Sequence, residues 1–182
     1  MSRDSRFLTR VLRHEPDLLG LTLKQGGWVE VDVLLHALKR AGRRMSREQL
    51  VRLVAEDSKQ RFTMSDQGSR IRAAQGHSFP IDLGLVPQVS PPTLYHGTGS
   101  HSLDSIFQSG LLPSRHQFVH LSSDVETALA VGKRHGRPIV LGVDAGAMSR
   151  AGHEFWVADN GVWLVLEVPP RFLSYIAGGD SR

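Results

Sequence analysis

The chain has 182 residues, 40% of them hydrophobic, with three Trp and seven Phe, a composition that excludes a disordered protein and allows one large or two small domains. Cys is absent, so disulfides, thiolate metal sites and a Cys nucleophile are excluded. No apolar run approaches the roughly 18 residues of a membrane span and no secretory h-region opens the chain, so cytoplasmic residence is expected. The net charge of +4 is unevenly spread: residues 1–80 hold 15 Lys/Arg against nine Asp/Glu, whereas residues 81–182 hold seven against nine. That asymmetry points to a polyanion-binding first half joined to a near-neutral second half.

In chain order, Phe7, Leu8, Val11 and Leu12 fall at helical spacing among Arg3, Arg6, Arg10 and Arg13. Pro16 cannot continue that helix and pushes Glu15 out of the α region. Arg13 and His14 therefore sit at a helix C-terminus, either as a simple cationic cap or as a fixed clamp for an anion such as phosphate. Gln25-Gly26-Gly27 is a turn signal, and Trp28–Val31 alternates like a short strand. Asp32 is the expected N-cap of a helix through Leu34, Leu35 and Leu38 that stops near Gly42. Ser46 and Gln49 read as a capping box ahead of Leu50, Leu53 and Val54. Arg61–Met64 and Arg70–Ala73 flank Asp66-Gln67-Gly68 as a hairpin, so three helices precede a β-hairpin that would carry Arg61, Arg70 and Arg72. This is the pattern of a winged helix, a frequent nucleic-acid module that also serves protein interaction.

Pro80, Pro87, Pro91 and Pro92 mark a semi-rigid linker over residues 80–92, where the charge also shifts. Beyond it, Thr93–His96 is a strand ending in Gly97-Thr98-Gly99, and a helix from about His101 ends at Gly110. Phe118–Leu121 is a strand, Ser122-Ser123-Asp124 starts a helix through Ala128, Leu129 and Val131, and Pro138–Val143 is a buried strand. Phe155–Val157 and Val162–Val168 flank Asn160-Gly161, a hairpin signal. The whole is α+β.

No P-loop, no dinucleotide fingerprint and no G-x-S-x-G elbow is present. His116, His120 and His96 could make a His-only zinc site, but neither an H-E-x-x-H helix nor flanking carboxylates accompany them, and no metal is expected. Tyr95-His96-Gly97-Thr98 places an imidazole, a backbone without Cβ and a hydroxyl at one strand end. That suits the lip of a pocket for a flat ring as well as an ordinary strand-to-helix turn.

Taken together, Leu12–Pro16, Gln60–Phe62, Ile71–Ser78, Leu94–Thr98, Gly110-Leu111, His120–Ser122 and Val131–Gly136 resemble the RNA 2′-phosphotransferase family, the tRNA-splicing type. The resemblance implies a winged-helix RNA-binding lobe over residues 1–79, the linker, and an ADP-ribosyltransferase-like NAD-binding lobe of mixed α/β structure over residues 93–182. It implies a catalytic tetrad of Arg13, His14, Arg61 and Arg134. It also implies NAD contacts from His96, Gly97, Thr98, Gly110, Arg115, His120 and Ser122. Gln117-Phe118-Val119 departs from the family's more compact approach to His-Leu-Ser, which bears on Arg115 and His116 and leaves the tetrad untouched.

The implied reaction has two steps. An internal RNA 2′-phosphate attacks the nicotinamide ribose of NAD, giving an ADP-ribosylated RNA intermediate and nicotinamide. The ribose 2″-hydroxyl then attacks phosphorus, giving 2′-OH RNA and ADP-ribose 1″,2″-cyclic phosphate. A phosphate monoester is already anionic near pH 7, so the first step needs no general base. In keeping with this, Gly161–Leu164 lacks the late-strand Glu of protein-modifying ADP-ribosyltransferases. The expected partners are 2′-phosphorylated RNA and NAD, with no membrane and a monomeric chain. The alternatives are an ADP-ribosyltransferase that caps nucleic-acid phosphates and a winged-helix regulator that senses a nucleotide without turnover.

Overall fold

A computed structural model of the chain describes residues 2–178, which form two compact units divided between Leu85 and Val86. In the first, α1 (Arg3–Arg13) is capped by the Ser2 hydroxyl, which accepts from Ser5 N at 3.1 Å, and buries Leu8, Val11 and Leu12. A short 3-10 turn, Pro16–Leu19, begins at the helix-breaking proline. Two further helices follow, α2 (Val31–Arg40) and α3 (Arg47–Ala55), the latter closed by the reciprocal Ser46–Gln49 capping box. Strands β1 (Val29–Glu30), β2 (Phe62–Met64) and β3 (Arg70–Ala73) form an antiparallel sheet in the order β1-β3-β2. Leu34, Leu38, Leu50, Phe62 and Ile71 close the core.

Helix α2 starts two residues before the position that Asp32 predicts. Its N-cap is Glu30, because Val31 N donates to Ser69 O at 2.8 Å and turns the chain directly out of β1. The Asp32 carboxylate instead accepts from Arg47 at 2.6 Å.

The second unit has two three-stranded antiparallel sheets. One orders β4 (Leu94–Gly99), β6 (Pro138–Val143) and β9 (Leu173–Gly178), and the other β5 (Val119–Leu121), β8 (Trp163–Val165) and β7 (Trp156–Val157). A backbone bridge between Tyr95 and Ser122 links β4 to the end of β5. Strand β6 is buried along its whole length between β4 and β9, which explains its unbroken apolar run. The helices are α4 (Leu103–Ser109), α5 (Val125–Gly132), capped by Asp124, and α6 (Ala145–Arg150), capped by Asp144.

The proline-rich stretch is divided between the units. Leu83 is buried in the first, while Gln88 pairs with Phe155 and Pro92 O accepts from Gly146 N in the second. Among the described residues, no helix is long and apolar enough to cross a membrane.

Candidate active site

Arg13 closes the last turn of α1, and the chain turns immediately after it: His14 N and Glu15 N both donate to Arg10 O, at 2.9 and 3.0 Å. The segment after β3 returns to this point, where Ser78 N donates to Arg13 O at 3.0 Å. Gly76, at φ +86°, lets that segment pass close to the guanidinium, since a Cβ there would lie 3.3 Å from Arg13 Nη1.

The surroundings of Arg13 are rich in buried, unmatched polar atoms. Its Nε and Nη2, Gln75 Oε1 and both ring nitrogens of His77 are buried without a hydrogen-bond partner in the protein. Burial, followed by repulsion from Arg61, lowers the Arg13 pKa to about 10, opposed by the Asp57 charge, and leaves it cationic at neutral pH. Burial lowers His77 further, to about 4, with Arg13, His14 and Arg72 adding repulsion, so this imidazole is neutral.

Arg61 is held differently. Its Nη1 donates to Asp57 Oδ1, and its backbone N donates to Asp57 Oδ2 at 2.7 Å. The two side chains are only 14% and 5% exposed, which makes this a desolvated pair and sets it apart from the surface bridges nearby. An open cleft of about 640 Å³ runs beside it, lined by Arg44, Gln49, Arg52, Lys59 and Arg61 together with Glu56 and Asp57.

In the second unit, His96 sits on β4 with Nδ1 3.1 Å from His120 O. A carbonyl can only accept, so Nδ1 carries the proton and Nε2 presents a lone pair. Burial lowers the His96 pKa, partly offset by this hydrogen bond and reinforced by His135. Thr98 is buried beside it in sequence, and Ser122 exchanges both backbone hydrogen bonds with Tyr95. Arg134 lies exposed on the short 3-10 turn Lys133–His135 that follows α5, and His135 O lies 2.1 Å from where a Gly99 Cβ would stand. The β4 end, the His120–Ser122 stretch and the turn bearing Arg134 are thus gathered within one unit.

The chain matches the RNA 2′-phosphotransferase, Tpt1 / KptA family over residues 2–167. It is 50% identical over 178 residues to a probable RNA 2′-phosphotransferase of Agrobacterium fabrum, covering 98% of this chain and 96% of that one. Similarly named proteins of Trichormus variabilis and Streptomyces griseus are 50% and 51% identical, each alignment covering 93% of both chains. The chain belongs to the RNA 2′-phosphotransferase, Tpt1 / KptA family.

Within this family member, the structure gathers Arg13, Arg61 and His14 in the first unit and the His96, Thr98, His120 and Ser122 stretch in the second. Gly110 and Arg115 are placed by other elements of the second unit. Gly110 closes α4 at φ +82°, where a Cβ would meet Val168 O at 2.3 Å, and Arg115 is exposed in the loop before β5. At Gly97 the close approach is made by α5, because a Cβ would lie 1.7 Å from Ala128 O. Arg72 turns inward from the hairpin: its Nη1 donates to Gly26 O and Leu83 O, both at 3.1 Å, and its guanidinium lies 4.7 Å from the Trp28 ring centroid.

His116 stacks on His120 with ring centroids 5.1 Å apart. Among the described residues, no group of three His, Cys, Asp or Glu could hold a metal.

Asp57 has no signal in the sequence reading, and Gln75 and His77 lie within the Ile71–Ser78 motif without a site role assigned to them. Asp57 stands four residues before Arg61, a spacing that signals an ion pair only if the intervening turn is known.

Proposed function

We propose that the chain is an NAD-dependent RNA 2′-phosphotransferase that removes an internal RNA 2′-phosphate, with NAD consumed as co-substrate and no metal required. Arg13 carries this reading: a buried guanidinium with Nε and Nη2 unpartnered in the protein, close enough to Arg61 to feel its charge. Each unsatisfied buried donor costs about 1–3 kcal/mol, and more on a charged group, unless an anion accepts from it. A phosphate offers several acceptor oxygens to guanidinium forks and belongs to the activity for which the family is named.

In this reading, Arg13, His14, Arg61 and Arg134 handle the phosphate, the first two orienting it as the nucleophile. The phosphate monoester is anionic near pH 7 and needs no base. Arg61, Arg134 and His14 then stabilise the charge that builds on phosphorus in the second transfer.

NAD provides the ADP-ribosyl group that receives the phosphate. The donor set of the second unit fits such a co-substrate: the His96 Nε2 lone pair accepts from a hydroxyl or amide, and Thr98 and Ser122 bring hydroxyls. Arg115 and His120 are the remaining side-chain contacts in this reading, and Gly97 and Gly110 contribute only through backbone, their α-carbons being packed against Ala128 O and Val168 O. Three helices with a small antiparallel sheet support the winged-helix reading of the first unit, and two packed antiparallel sheets support the ADP-ribosyltransferase-like reading of the second.

The test is incubation with NAD and an oligonucleotide bearing one internal 2′-phosphate. The expected result is loss of the 2′-phosphate with release of nicotinamide and ADP-ribose 1″,2″-cyclic phosphate. Stable ADP-ribose addition without phosphate loss would instead make the protein a capping transferase, and no nicotinamide release would make it a non-catalytic regulator.

A further inference from the structure

The tetrad residue Arg61 does not stand alone, and the turn that presents it is built around a carboxylate. After α3 the chain makes a tight reversal in which Gln60 N donates to Asp57 O at 2.7 Å and Gln60 takes φ +44°, a conformation that L residues rarely adopt. Ala74 N donates to Arg61 O at 2.9 Å, tying the far side of the turn to the residue after β3. Asp57 closes the structure by binding one residue twice, accepting from the Arg61 backbone with Oδ2 and from its Nη1 with Oδ1. Backbone and guanidinium of Arg61 are thereby locked into one ring.

The lock has a consequence for recognition. With Nη1 committed to Asp57, the Nε–Nη2 edge of Arg61 is the face left for a ligand. That edge is the geometry that engages a phosphate through two parallel hydrogen bonds. The same carboxylate opposes the repulsion between Arg61 and Arg13.

We infer that Asp57 is the positioning residue of Arg61, orienting its Nε–Nη2 edge toward the phosphate while leaving the chemistry to the arginine. The inference rests on the 2′-phosphotransferase reading above.

Asp57→Asn, Arg61→Ala and the double variant test it, each assayed for binding to paired oligonucleotides with and without an internal 2′-phosphate. The rates of the two steps with NAD and the melting temperature are measured on the same proteins. Asp57→Asn is expected to weaken the preference for the 2′-phosphate roughly ten-fold, the scale of one charge-assisted hydrogen bond, and to slow the second step. In the Arg61→Ala background it is expected to change neither. Asp57→Glu keeps the charge one methylene further out and is expected to fall between; it carries the test if the Asn variant melts below assay temperature.

Equal losses from Asp57→Asn with and without Arg61 would overturn the inference and show a merely structural residue, as would unchanged preference and turnover. A wild-type protein that neither prefers nor processes the 2′-phosphate overturns the functional reading itself, and the inference with it.

Discussion

Around Arg13 and Arg61 the first unit concentrates side-chain charge, with Asp57 paired to Arg61 and acting on the charge of Arg13, and with a buried, neutral His77. Around His96 the second unit builds from backbone instead. There, α5 packs on β4 through Gly97, a turn carbonyl approaches Gly99, and a main-chain oxygen fixes the imidazole. The difference teaches where each unit is vulnerable. Charge in a desolvated place responds to protonation and to loss of a counter-ion, whereas backbone approach responds to a single added carbon.

The largest expected effect is on the backbone-built side. In Gly97→Ala the new Cβ would meet Ala128 O at 1.7 Å, and this contact cannot relax without moving α5. We expect a loss of roughly 4 kcal/mol or more, read by chemical denaturation followed through Trp156 and Trp163 fluorescence. Retention of wild-type stability would show that α5 and β4 are not locked together.

Next comes the acid limb of the charged side. The folded pKa of His77 is about 4, below the ordinary value near 6.5, so the folded form binds the proton less well. This group's contribution is fully present above pH 6.5 and declines as pH falls toward 4, by about 3 kcal/mol in all. His77→Gln should flatten that part of the stability–pH curve relative to wild type, measured as urea midpoints at pH 7 and pH 4.5. An unchanged difference between the two midpoints would count against a buried, neutral His77.

Arg61→Ala and Arg134→Ala come third. Each is expected to slow the second chemical step by roughly ten- to 150-fold, the value of one charged hydrogen bond at about 1.5–3 kcal/mol. The ADP-ribosylated RNA intermediate should accumulate above its wild-type level, and gel analysis of a single turnover reads it directly. If both variants leave the ratio of the two steps intact, these arginines do not carry the second transfer.

The smallest effect belongs to Glu15→Gln. The Arg10–Glu15 bridge at 2.5 Å is as short as many buried pairs, but its side chains are 55% and 45% exposed. Water and salt screen it, so the melting temperature should not move measurably. Set against Asp57→Asn, this result would show that burial gives a carboxylate its leverage and that bond length does not.

Much of the fold could be read directly along the chain because its signals are local. Pro16 stops α1, the Ser46–Gln49 box opens α3, Asn160-Gly161 turns β7 into β8, and an unbroken apolar run marks β6. Helix α6 is not legible in the sequence because it has six residues with Gly146 among them, too few for a periodic stripe, and its Asp144 cap and the burial of Met148 stabilise it instead. Strand β9 is not legible either, because Tyr175 and Ile176 are exposed, so neither alternation nor a buried run announces it. At the candidate site, Arg13, His14 and Arg61 were named from collinear motifs. Asp57 lies outside those motifs, and Gln75 and His77 lie within Ile71–Ser78 with nothing local to signal that their polar atoms are buried.

The sequence by itself determined the charge asymmetry, the positions of caps, breakers and turns, and the family to which the chain belongs. These depend on residue type and short spacing, where backbone sterics and hydrogen bonding act within a few positions. Only the tertiary structure decided that Gly97 serves the packing of α5, that Arg72 turns inward, and that Asp57 and Gly76 frame Arg61 and Arg13. Those outcomes turn on which groups lose their water and which charges come together across the fold. Desolvation is a property of the packed chain that no local stretch carries.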